Sequence, residues 1–120
     1  MATLLIGGGY KKGDIKMIGK KFCNEWFATK KVMEKVSFEA RSILIDTINL
    51  LNENTNLNYF LVCEFKEIDE KQEIKITWQD QLDHQQTFRF NYDCEKVIND
   101  VKLYAIDSYD YATLLYPEEY

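Results

Sequence analysis

The chain has 120 residues, of which 46% are hydrophobic and 14% aromatic, with one proline and five glycines. That composition excludes a disordered or fibrous chain, and the length suits one domain with a real core rather than two. The net charge of −5 repels nucleic acid at long range and favours basic partners.

The charge is uneven along the chain. Residues 1–41 carry nine Lys or Arg against four Asp or Glu, residues 42–92 carry four against nine, and residues 93–120 two against seven. No Pro- or Ser-rich linker divides the chain, and no repeat of twenty residues or more is visible. Met1 to Ile6 is apolar but too short for a leader and lacks a basic start and a cleavage site. No run approaches transmembrane length, so a cytoplasmic protein without membrane contact is expected. Cys23, Cys63 and Cys94 are odd in number, widely spaced and outside any CxxC pattern, which suits reduced thiols.

In chain order, Thr3-Leu4-Leu5-Ile6 reads as a short strand broken by Gly7-Gly8-Gly9, and Ile15 to Ile18 as its returning partner, an N-terminal hairpin. A phosphate-cradling loop is the functional alternative for the glycines with Lys11 and Lys12. Neither GxxxxGK[ST] nor GxGxxG is present, and a strand rather than a helix follows. Residues 22–36 fit either a helix carrying Phe22, Trp26, Met33 and Val36 or an extended arm. Residues 37–52 are the clearest helix. Ala40, Ile43, Leu44, Thr47, Ile48 and Leu51 form a stripe, and Ser37 is placed to cap it.

Residues 57–92 organise the fold. Tyr59, Leu61, Cys63 and Phe65 alternate with Phe60, Val62, Glu64 and Lys66. Ile74, Ile76 and Trp78 alternate with Glu73, Lys75, Thr77 and Gln79, and Phe88, Phe90 and Tyr92 with Thr87, Arg89 and Asn91. Period-two patterning rich in β-branched and aromatic residues predicts half-buried strands, and the short polar links at 69–71 and 80–83 make them an antiparallel meander. Its apolar face needs a cover, and helix 37–52 is the natural one, with Trp78 and Phe88 buried beneath it. Asp93 and the apolar Val97, Ile98, Val101 and Leu103 or Tyr104 predict a second short helix near 94–104. Tyr111 to Tyr116 reads as a last strand, ended by Pro117. The expected class is α+β: an antiparallel sheet from the meander plus the N-terminal hairpin, with the main helix on one face.

The usual catalytic arrangements are missing. His84 is the one histidine, in a hairpin loop beside Asp83, and nothing fixes a partner for it. No HExxH, EF-hand loop or GxSxG occurs, and Asp69, Glu70 and Glu73 read as a solvated turn. The lysines of the first third, interleaved with Tyr10, Phe22, Trp26 and Phe27, read as ordinary surface on an acidic protein. No enzyme activity, metal or cofactor is expected.

The most suggestive feature is the acidic, tyrosine-rich C-terminus. Tyrosine offers stiff contact area with a polar tip, and carboxylates around it suit lysines and arginines on a partner. The expected function is a non-catalytic inhibitor of a basic protein, such as a toxin or a nucleic-acid-binding enzyme, in the manner of immunity or anti-defence proteins. Its face would be Asp107, Tyr109, Asp110, Tyr111, Glu118 and Glu119. The alternatives are a nucleotide-sequestering protein using Gly7-Gly8-Gly9, Lys11, Lys12 and Arg89, and a homo-oligomer formed through an edge strand with Phe60, Val62 and Leu115.

Overall fold

The computed structural model describes residues 21, 22 and 24–120. Among them the chain forms a six-stranded sheet with two helices on one face, an α+β arrangement. Strand β1 (Glu25–Ala28) leads through the short helix α1 (Lys30–Lys35) into the long helix α2 (Phe38–Asn54). Strands β2 (Phe60–Ile68), β3 (Lys71–Gln79), β4 (Gln85–Tyr92), β5 (Val101–Asp107) and β6 (Tyr111–Leu115) follow, and a single 3-10 turn (Pro117–Glu119) closes the chain. The strand order is β1-β6-β5-β2-β3-β4. All neighbours are antiparallel except β1 and β6, which run parallel.

Both helices are capped by a hydroxyl, the longer one by the Ser37 that its sequence suggests. Thr29 accepts from the Val32 N–H and Ser37 from the Ala40 N–H, so a hydroxyl satisfies an N–H that no helical carbonyl reaches. Residues 22–36, ambiguous in sequence, divide into strand and helix at Thr29. Helix α2 runs past the polar 52–54 stretch before Thr55 caps its end. It stays helical because Asn52 turns inward, 7% exposed, and its side-chain amide donates to the Lys21 carbonyl.

The meander forms as the alternation requires. The β2–β3 turn holds Asp69 and Glu70 at positive φ, the geometry that matches strand twist in a two-residue hairpin. Leu61, Cys63, Phe65, Ile74, Ile76 and Trp78 are buried on the helix side, together with Leu44 and Ile48 of α2. Each such side chain contributes roughly 1.5–3 kcal/mol by leaving water.

Two expectations are corrected. Residues 94–104 do not form a helix: residues 93–100 are irregular and Val101–Asp107 is a strand. Val101, Leu103 and Ala105 pair with Phe65, Cys63 and Leu61, so this segment completes the edge of β2, burying Leu103 and Ala105 and half-burying Val101. Its β-branched residues suit a strand, and backbone pairing outweighs a short apolar stripe. Phe88 is 38% exposed rather than buried, because β4 is the outermost strand among the described residues and the helices leave its aromatic side half open. The expected N-terminal hairpin lies outside the described residues.

Candidate functional site

The two faces of the sheet differ in cover. The helices fill one. On the other, cross-strand register assembles rows of side chains. One row crosses four strands: Phe27, Thr113, Ile106 and Phe60. The next holds Leu115, Tyr104, Val62, Thr77 and Thr87. Beyond them the rows turn charged, with Lys102, Glu64, Lys75 and Arg89 in one and Lys66, Glu73 and Asn91 in another. Glu64 and Lys75 approach to 3.7 Å. This face, left uncovered by every described helix, is therefore apolar at the end where β5 turns into β6 and ionic at the other.

The C-terminus folds onto the apolar half. Tyr120 sets its ring 5.6 Å from Phe60 and 5.8 Å from Tyr104, and Phe60 and Tyr104 are 4.7 Å apart. Tyr120 keeps 74% of its surface exposed, so this cluster is roofed by a single ring. Phe27 and Tyr111 meet edge to face at 5.5 Å on the same side, and both are substantially exposed.

The β5–β6 hairpin ends in a strained turn. Ser108 N–H donates to the Tyr111 carbonyl and Asp110 N–H to the Ser108 carbonyl, which forces Tyr109 to φ 74°. This first central position of a two-residue hairpin favours glycine. A bulky aromatic there costs on the order of 1–3 kcal/mol. Asn24 steadies the turn by donating its side-chain amide to the Tyr109 carbonyl at 2.5 Å. The Tyr109 ring is 86% exposed, so its own packing does not repay the strain.

The structure therefore divides the six residues read as one face. Tyr109, Asp110 and Tyr111 lie together at the tip. Asp107 is half-buried on the helix side of β5, opposite Ala112. Burial pushes its carboxyl up, while the Phe22 and Tyr109 N–H groups and the Lys21 charge hold it down, so it tethers the start of the described chain to the hairpin. Glu118 and Glu119 sit past the far end of β6. Glu118 pairs with the Lys31 ammonium, which also lies 4.6 Å over the Tyr116 ring. That hydrogen bond lowers the Glu118 carboxyl and raises Lys31. Glu119 accepts from the Thr29 hydroxyl at 2.8 Å and from the Tyr116 N–H at 2.9 Å. These two acids clamp the last turn to the start of α1.

Sequence reading passed over Phe27, Tyr104 and Tyr120 as contact residues. A usable signal was present in β2, where Phe60 and Val62 oppose Leu61 and Cys63: a strand apolar on both sides has a second face to satisfy.

A shallow cleft of about 320 Å³ opens between the ends of β2 and β3, lined by residues including Asn58, Phe60, Val62, Thr77 and Gln79. Thr77 Oγ1 is buried there without a hydrogen-bond partner. The named lining residues bring no charge to it. Among the described residues no three His, Cys, Asp or Glu side chains gather as metal ligands. His84 is exposed, and Arg89 lies on the ionic half of the uncovered face. The Gly7-Gly8-Gly9, Lys11 and Lys12 stretch lies outside the described residues. No described helix is long and apolar enough to cross a membrane.

No protein-family model and no curated protein matches this sequence. A solved structure, the crystal structure of a protein of unknown function from Enterococcus faecalis, is similar with a TM-score of 0.65 and 15% identity, over 81% of this chain and 91% of that one. At that identity the likeness is one of fold.

Proposed function

We propose that this chain is a binding protein with no chemistry of its own, which inhibits a basic protein partner. The contact surface in this reading is the apolar half of the uncovered sheet face, from Phe60 and Tyr120 across to Phe27 and Tyr111, with Tyr109 and Asp110 at its tip. The observation that carries it is Tyr109, an exposed aromatic at a glycine-favouring position. Backbone strain at an exposed aromatic is retained where the aromatic is needed. Exposed aromatic clusters of this kind mark contact sites. Glu25 and Asp110 supply negative charge beside it, and Glu25 is register partner to Tyr111. Asp107, Glu118 and Glu119 serve this reading from behind, by holding the hairpin and the last turn in place.

The test is capture of partners from the source cell on the immobilised protein, then binding kinetics with the captured basic protein. Tyr109→Ala and Tyr111→Ala each remove a central ring and should weaken binding by ~2 kcal/mol or more, about 30-fold in Kd. Asp110→Lys should chiefly slow association, with the difference shrinking as salt rises. Unchanged affinity in both tyrosine variants, with the fold intact by circular dichroism, would sink the assignment of this face.

A further inference from the structure

Among the described residues strand β4 ends the sheet, and its outer edge has a defined hydrogen-bonding pattern. The β3–β4 register runs without a bulge from Gln72↔Tyr92 to Gln79↔Gln85. Just beyond it, the Asp80 N–H donates to the His84 carbonyl at 2.8 Å. Antiparallel pairs alternate between hydrogen-bonded and non-hydrogen-bonded. Counting back from Asp80 and His84, Gln86, Phe88, Phe90 and Tyr92 bond to β3. Gln85, Thr87, Arg89 and Asn91 turn their N–H and C=O groups outward. On the helix side the same strand carries an aromatic ladder, with Phe88 to Phe90 at 5.9 Å and Phe90 to Tyr92 at 5.8 Å, and Phe88 38% exposed.

Sheet proteins blunt such edges with proline, charged side chains, bulges or very short strands; the one charge on β4 is Arg89. β4 is eight residues long, QQTFRFNY, with no proline, no lysine and no bulge. The opposite outermost strand among the described residues, β1, has only four.

We propose that β4 is a homodimer interface, pairing antiparallel with β4 of a second copy about a two-fold axis through Phe88. Such a pairing is isologous, so the strand must complement itself. The outward groups bond only if odd-numbered residues face odd-numbered ones, which leaves few symmetric registers. Centring on Arg89 sets two guanidinium groups directly opposite each other, a destabilising like-charge pair. Centring on Phe90 leaves Gln85 without an opposing strand residue. Centring on Phe88 opposes Gln85 with Asn91 and Thr87 with Arg89, so all four outward residues of each copy are satisfied. It also places the two Phe88 side chains opposite each other in a non-hydrogen-bonded pair, with Cα atoms about 4.5 Å apart. The half-open ladder of each copy then covers that of the other. This interface is separate from the aromatic face proposed for a basic partner.

Sedimentation of the full chain tests it. The protein should sediment as a dimer, and Thr87→Pro should shift it to monomer by at least tenfold in dissociation constant. Because the Thr87 N–H points away from β3, that variant should keep its far-UV spectrum and Tm. If Thr87→Pro loses its fold, Phe88→Lys replaces it and should likewise give a folded monomer, through like charges at the centre. Register is read by crosslinking in a Cys23→Ser, Cys94→Ser background. Phe88→Cys should form an intermolecular disulfide with diamide as the oxidant, and Arg89→Cys should not. A monomer at ~100 μM, where an interface of standard size would associate, overturns the proposal. So does a dimer that survives Thr87→Pro, or one that crosslinks equally through position 89.

Discussion

Gln72 interrupts the apolar side of β3 and is only 1% exposed. Its side-chain amide donates toward the carbonyls of Lys66 and Glu73, each at 3.2 Å, and of Ile98 at 3.0 Å. Its carbonyl accepts from the Ile98 N–H at 2.8 Å. It thus ties the irregular 93–100 connection, and with it the entry to β5, to the β2–β3 hairpin. Gln72→Met keeps nearly the same volume and removes all four contacts. The Ile98 N–H and C=O then lose their protein partner. Each group left unsatisfied costs ~1–3 kcal/mol, and Ile98 is half-buried, so water recovers part. The expected loss is about 2–4 kcal/mol, on the order of 10 °C in Tm for a chain of this size. Gln72→Glu should lose more at neutral pH, because a carboxylate would face three carbonyls. Urea unfolding followed by tryptophan fluorescence gives the midpoint, with an unchanged slope showing that stability alone has moved. Hydrogen exchange should show residues 93–100 losing protection first. A shift under ~0.5 kcal/mol for Gln72→Met, the range of an ordinary surface change, would refute the tether.

Ser37→Ala should cost about 1 kcal/mol by removing the cap on the Ala40 N–H, and Ser37→Asp should restore most of it. Tyr92 gives a pH prediction: burial first, then the nearby Cys94 and Glu39 charges, push its hydroxyl up to about 12. A folded value above the unfolded one means the neutral phenol is favoured by folding. That contribution is full below pH ~10 and is lost as pH rises through the folded value. Tyr92→Phe should flatten the decline of stability between pH ~10 and about 12, and absorbance at alkaline pH should lose one late-titrating tyrosine. An alkaline stability profile identical to that of the parent would contradict this.

The candidate site was legible in part for a definable reason. Tyr109, Asp110 and Tyr111 adjoin in sequence, and a hairpin turn keeps adjoining residues together. Glu118 and Glu119 were grouped with them by composition, yet the length of β6 separates the two groups, and Lys31 and Thr29 engage both acids. Asp107 is near the tip in sequence but faces the other way, because alternate strand residues point to opposite sides. Phe27 and Phe60 lie far apart in the chain and share a row only through the register of β1, β6, β5 and β2, while Tyr120 reaches Phe60 from the last turn.

Local rules were enough to determine the three meander strands, the main helix and its Ser37 cap, because periodicity, turn chemistry and capping act over a few residues. Where residues 94–104 would go was beyond them: Val97, Ile98, Val101 and Leu103 fit a helical stripe, while Val101, Leu103 and Ala105 fit a strand. The unpaired edge of β2 decided it, since pairing there satisfies a row of backbone groups and buries Leu103 and Ala105. The parallel pairing of β1 with β6 is likewise tertiary, joining residues 25–28 to 111–114 through partners that no local pattern can name. The exposure of Phe88 belongs to the same class. Its alternation marks which side of the strand it lies on, but only the strand order puts β4 outermost among the described residues and leaves that side half open.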